Sequence, residues 1–253
     1  MGRMSDLMIE MENERADLWI RERLNDEDAD EDSEEYQQLA EEYSNLQEFL
    51  REQAEFEEEL NWLRENGSSI IHKNFIEEIN GLKSVLKSAN VSNKPYMIYR
   101  MTYAHSVTLL EAFLGDTIKA LVSESNDNFM RSMGIDELKK ARYSLEFLAL
   151  NNVDAKSLAI KELSKILYHN IPKVKKMFEV ILNQDIPIDI SKVVQITKTR
   201  HDIVHRNGMT HDGEAIILTD HDICEAIDFI EEFSNELQKS ITNQASSNKD
   251  THY

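Results

Sequence analysis

Apolar residues recur at spacings of three, four and seven along most of the chain, the pattern of helices that each bury one stripe. In the first quarter, Leu7, Leu18, Trp19 and Ile20 mark a short helix, and the run NDEDADEDSEE breaks it. Leu39, Tyr43, Leu46 and Leu50, followed by Phe49, Phe56, Leu60 and Leu63, then predict a long helix from about Ser33 to Asn66. A helix of this kind gains most of its stability by packing its stripe, so it requires the rest of the chain, a second copy or another protein beside it. At NGSS, residues 66–69, Gly67 can end that helix and Ser68 or Ser69 can cap the next. The expected division is therefore 1-66, an acidic helical segment, and 67-253, a helical bundle.

Beyond the boundary, Ile71, Phe75, Ile79, Leu82 and Leu86 predict a helix over Ile70–Ala89, and a loop at VSNKP leads to a second over Tyr96–Val122. A polar loop, SESNDN, precedes helices near Ile135–Leu150, Asp154–Tyr168 with Asp154 as cap, and Pro172–Leu182 with Pro172 in its first turn. Two more follow over Asp189–Arg206 and Asp220–Ile241, the latter capped by Thr219 or Asp220. The connector NGMTHDGEAIIL holds the turn pairs Asn207-Gly208 and Asp212-Gly213, and AIIL has the makings of a short strand. The expected fold class is all-α: an up-and-down helical bundle with an extra N-terminal acidic helical segment.

Composition agrees: 7 Gly and 3 Pro in 253 residues leave little material for the many turns of a β sandwich. The chain is long enough to bury a core without a disulfide, and its single cysteine, Cys224, reads as a buried inert thiol. With no apolar run long enough to span a bilayer and acids where a signal peptide would be apolar, a cytoplasmic protein with no membrane contact is expected.

A net charge of −20 argues against a nucleic-acid partner until its distribution is considered. Residues 1–66 hold 23 acids and 6 bases, or −17, and the remainder is only −3. The stretch from Asp154 to Arg206 has 10 bases against 6 acids, a surface able to meet phosphates, although a solvated helix face accounts for it equally well. The acidic segment also offers its amphipathic helix as a docking arm for a protein partner.

One dense constellation carries chemistry: Arg200-His201-Asp202-Ile203-Val204-His205-Arg206-Asn207-Gly208. Two imidazoles at i and i+4 share a helix face, with Ile203 and Val204 available to the core, and cations suit a helix C-terminus. Favourable charge and a glycine stop explain the same residues structurally. Cleavage of RNA through its own 2′-hydroxyl needs a base, an acid and positive charge on the phosphorus-centred transition state. Histidine titrates near ~6.5 and can move protons, and arginine binds phosphate bidentately. Around a straight helix, however, Arg200 and His205 lie about 140° and roughly 7.5 Å apart. One helix is thus not expected to aim both at one phosphate, and a two-fold dimer would ease convergence.

His201-Asp202, His211-Asp212 and His221-Asp222 offer a metal-dependent phosphohydrolase as the chemical alternative, and His201 with His205 has a zinc-pair spacing. Asp202 stands where a zinc protease has glutamate, and the pairs crowd into one short stretch, so no metal or other cofactor is expected. His211 and Asp212 read more simply as a turn. Tyr96, Met97, Tyr99, Met101 and Tyr103 read as core or dimer contacts, and His105 and His169 as packed or surface residues. GxxxxGK[ST], GxGxxG and CxxC are all missing.

The nonapeptide at 200–208 resembles the Arg-x4–6-His motif of HEPN domains, α-helical ribonucleases and their inactive relatives, in which the motif lies near the end of a late helix. Arg200, His201 and His205 match its form with four intervening residues, and His205-Arg206-Asn207-Gly208 is similar to the sequence that follows it. HSVTLLEAFLGDTIKAL, residues 105–121, is similar to the second helix of the RiboL-PSP-HEPN type and would supply Glu111 as an inward polar residue. The resemblance spans roughly Ile70 to Ile241. It implies a homodimeric, metal-independent endoribonuclease of toxin, phage-defence or stress-response type. Arg200 and His205 would be its catalytic pair, with His201, Asn207, Arg206 and Glu111 binding substrate or supporting the site. A catalytically silent HEPN module that binds RNA or a protein is the other possibility it allows. Toxins controlled by a nucleotidyltransferase antitoxin have a tyrosine where this chain has Asn207, which puts that style of control in doubt here.

Overall fold

The computed structural model describes residues 2–25, 29–89, 94–151 and 153–250, and eleven helices among them. The contacts divide the chain into two compact units, Met1–Leu60 and Asn61–Tyr253, and the division falls inside the long helix that precedes the Asn66–Ser69 turn. Among the described residues no helix is long and apolar enough to cross a membrane.

The first unit consists of α1 (Gly2–Arg21) and most of α2 (Glu34–Glu65). Ser33 caps α2 by accepting from the Tyr36 N–H at 3.2 Å. The contacts in this unit are local and polar at their edges: Asp17 accepts from Arg21 and from the Tyr36 hydroxyl, Trp19 meets Tyr43 at 5.4 Å between ring centroids, and Arg23 lies over Trp19. Ile20 is buried, whereas Leu7, Leu18, Leu46, Phe49 and Leu50 of the predicted stripes stay exposed.

In the second unit the helices are α3 (Ser68–Ala89), α4 (Pro95–Glu124), α5 (Asn126–Ser132), α6 (Asp136–Lys140), α7 (Leu145–Asn151), α8 (Ala155–Ser164), α9 (Ile171–Leu182), α10 (Ser191–His205) and α11 (Asp220–Asp250). The architecture is all-α, as the sequence predicts. Helix α4 is its axis and packs against α3, α5, α8, α9, α10 and α11. Its buried residues, among them Leu110, Phe113, Leu114, Thr117, Ile118, Ala120 and Val122, cover more than half of its circumference, the pattern of a helix wrapped by its neighbours. Each large apolar side chain among them contributes about 1.5–3 kcal/mol through removal from water. Small residues let neighbours close in: a Cβ at Gly115 would come within 2.9 Å of the Tyr168 ring.

Four local expectations are corrected. The helix predicted over Ile135–Leu150 is two, α6 and α7, because Ala141 turns to extended backbone, Arg142 donates to the carbonyls of Lys139 and Ala141, and the Tyr143 hydroxyl donates to Glu162. The predicted loop SESNDN is mostly helix, since the Ser125 side chain accepts from the Asn128 N–H and starts α5. AIIL forms no strand: Met209 and Ala215 make a single antiparallel bridge, and Ile216 donates to the Gly208 carbonyl. Cys224 is half-buried, not enclosed. Most of the VSNKP loop lies outside the described residues.

Candidate functional site

Helix α10 carries the motif, and its register is fixed at both ends. The Asp189 carboxylate accepts from the Ser191 N–H and hydroxyl, which together hold its pKa below the usual range and start the helix. Val193, Ile196 and Ile203 are buried against the bundle, and Tyr103 of α4 hydrogen-bonds Thr199. Burial first of all pushes the Tyr103 hydroxyl up to about 12, so it remains neutral in that pairing. At the other end the Asp202 carbonyl accepts from the N–H groups of Arg206 and Gly208, with Asn207 and Gly208 at φ of 53° and 77°. The Arg100 guanidinium occupies the space a Gly208 Cβ would need, and its Nη1 donates to the Asn207 carbonyl at 3.3 Å. Helix stop and α4 are thereby tied together.

This arrangement opens a cleft of about 870 Å³. One wall is α10, with Thr197, Lys198, Arg200, His201, His205 and Arg206; Glu111 reaches in from α4, His169 and Asn170 from the turn before α9, and His211 from the connector after α10. The His201 and His205 rings lie 4.7 Å apart, centroid to centroid, as their i, i+4 spacing requires. Glu111 Oε1 and Arg200 Nε are both buried, and neither has a hydrogen-bond partner within the protein. Leaving such groups unmatched costs about 1–3 kcal/mol each.

Arg200 and His205, which a helical wheel sets far apart, both line this one cleft, because it spans more than one face of α10. Asp202, read as part of a possible metal pair, is buried and accepts from Arg206 at 2.7 Å, so that guanidinium is already engaged by a carboxylate of its own helix. Asn207 does not line the cleft; it serves in the helix stop. Val204, expected in the core, is 48% exposed. Among the described residues no three His, Cys, Asp or Glu side chains gather as metal ligands, although His201, Asp202 and His211 line the same cleft.

His169 and His211 are the cleft residues that sequence reasoning missed. Neither belongs to a local pattern, and only the packing of α9 and the connector on α10 brings them there. Three of the ten bases from 154 to 206 are neutralised by these pairs: Lys165 with Glu162, Lys173 with Glu137 and Lys176 with Glu179. Lys198 and Arg200 face the cleft.

No curated protein and no solved structure matches the chain significantly. The family model for RiboL-PSP-HEPN matches residues 73–243, well over half of the chain and the whole of the cleft just described, and the chain therefore belongs to the RiboL-PSP-HEPN family.

Proposed function

We propose that the second unit is a metal-independent endoribonuclease that cleaves RNA by attack of a ribose 2′-hydroxyl on the adjacent phosphorus. The observation that carries this reading is the meeting of Arg200, His201 and His205 with Glu111 in one cleft, with hydrogen-bonding capacity left over on Arg200 and Glu111. In this scheme the His205 imidazole accepts the 2′-hydroxyl proton as the 2′-oxygen bonds to phosphorus. The bond to the 5′-oxygen breaks, and that oxygen receives a proton from an acid, a role we assign to the His201 ring 4.7 Å from that of His205. The products are a 2′,3′-cyclic phosphate and a 5′-hydroxyl. Arg200 offers charge to the phosphate oxygens, and Glu111 adds a carboxylate to the same cleft. Lys198 extends the positive wall.

Membership of the family supports an RNA-directed role, and the biological setting we favour is a cytoplasmic toxin, phage-defence or stress-response nuclease. A second copy of the chain is the partner we favour for the bundle, seated on exposed Met97 and Met101 of α4 and Val204 of α10. For the acidic α1–α2 unit we favour a protein partner with a basic amphipathic segment, since its exposed Leu46, Phe49 and Leu50 lie among carboxylates. The test is incubation of purified protein with RNA in EDTA. Fragments ending in cyclic phosphate support the reading, and cleavage that depends on an added metal ion refutes it.

A further inference from the structure

Tyr168 anchors the turn between α8 and α9. Its ring lies against Gly115, its hydroxyl donates to the Leu163 carbonyl at 3.0 Å, and the turn is closed by Ile166 N–H to Leu163 and Ile171 N–H to His169. With Tyr168 turned inward, its two neighbours turn out. Leu167 is 71% exposed and His169 is exposed beside it. Both residues line the catalytic cleft on one side and a second groove of about 380 Å³ on the other. They form a ridge between two cavities, and the ridge is held by a buried side chain. An exposed leucine on a surface loop is ordinary; here the apolar surface is fixed where two cavities meet.

The second groove differs in charge from the first. Its lysines are matched: Lys165 to Glu162 at 2.6 Å and Lys173 to Glu137 at 2.5 Å. A phosphate gains little from cations already paired with carboxylates. A nucleobase suits this setting better, because its flat apolar faces can lie on a leucine and an imidazole while its polar edge meets the paired charges.

We infer that Leu167 and His169 form a stacking step for RNA, and that the groove behind them receives the base next to the phosphate held by Arg200 and His205. The inference rests on the RNA-cleavage reading and adds to it a substrate class, single-stranded RNA that continues past the scissile bond. The step is tolerant of sequence, since every base has a face to stack.

The experiment is fluorescence anisotropy of the full-length protein with a labelled single-stranded RNA of about ten nucleotides, a length within the site sizes of such binders. His169→Ala weakens binding by about 5- to 150-fold, the range for loss of one aromatic stacking contact, and Leu167→Ala weakens it by a smaller factor. His169→Phe restores most of the affinity, because a flat ring is retained. An abasic strand of the same length, which has no base to lay on the ridge, loses less than the ordinary strand does. Alanine variants that bind the long strand as tightly as the parent overturn the inference, as does a His169→Phe variant as weak as His169→Ala. If Arg200→Ala abolishes cleavage while the ridge variants bind normally, the ridge alone is wrong. If the ridge variants lose affinity while Arg200→Ala and His205→Ala cleave like the parent, the catalytic assignment is wrong and the ridge stands. A parent protein that binds no single-stranded RNA overturns both.

Discussion

The α1–α2 unit and the bundle are both helical, and they are built on opposite terms. In the bundle, α4 is enclosed by six other helices and buries side chains such as Leu110, Leu114 and Ile118 completely. In the first unit Ile20 is the buried apolar residue among those described, and much of what holds the hairpin is at its surface: Asp17 with Arg21 and Tyr36, Trp19 with Tyr43, Asn25 with Glu35. Nearly all of the negative charge is on the same side of the comparison, −17 for residues 1–66 against −3 for the rest. The difference separates two uses of a helix. Enclosed helices fix the geometry of a cleft to within fractions of an ångström; a charged, thinly packed hairpin keeps apolar residues in water, where another molecule can use them.

The comparison is broken most forcefully by truncating residues in the two units. Ile118→Ala, or Leu114→Ala, is expected to destabilise the bundle by about 2–5 kcal/mol in urea unfolding, because a cavity remains in a packed interior. Leu50→Ala in α2 should stay within about 0.5 kcal/mol, since its side chain is already 47% exposed. Equal costs at the two positions would mean that the first unit is packed as the bundle is. Gly115→Ala is next in size: its methyl meets the Tyr168 ring, and a loss of about 1–3 kcal/mol is expected from overpacking. Thermal unfolding unchanged in this variant would remove Tyr168 as the anchor of its turn.

A smaller effect is expected from pH. Burial, opposed by a hydrogen bond with Asn235, holds the His72 imidazole below its ordinary pKa, and its ring lies 5.7 Å from Phe113. A depressed histidine favours the fold while both states are neutral. As pH falls through the ordinary value of ~6.5, the unfolded chain takes up the proton first, and stability declines until the folded value is passed. His72→Gln should flatten the fall in bundle stability below pH ~6.5. The smallest change is expected for Asp17→Asn in the first unit. Its carboxylate is held low mainly by the Arg21 hydrogen bond, yet the pair is exposed, so any difference in the hairpin's helicity by circular dichroism should vanish in about 1 M salt.

The same contrast explains what the sequence made legible. Long periodic runs with capping residues were readable: Asp154 accepts from the N–H groups of Lys156 and Ser157 at the start of α8, and Pro172 stands in the first turn of α9. The break between α6 and α7 was not, because Ala141-Arg142-Tyr143-Ser144 holds no glycine or proline and the apolar period continues through Leu145 and Leu148. Tertiary partners, Glu162 for Tyr143 above all, decide that turn. In the site, the Arg200–His205 motif and Glu111 were legible through resemblance. His169 and His211 were hidden, since they come from separate turns and meet α10 only when the bundle closes. Arg200 and His205 line one cleft for a related reason: a helical wheel records Cα directions and takes no account of the width of a cleft that wraps more than one face of α10.

The central claim is that this cleft cleaves RNA with Arg200 and His205. Its most direct test is the rate at which purified protein cuts total RNA in EDTA, measured beside Arg200→Ala and His205→Ala, with circular dichroism to establish that each variant is folded. Cleavage by the parent and a loss of at least ~10²-fold in each variant is the predicted result, the scale of losing a proton-transfer group or a charge at the transition state. A folded His205→Ala protein that cleaves RNA at the parental rate would contradict it.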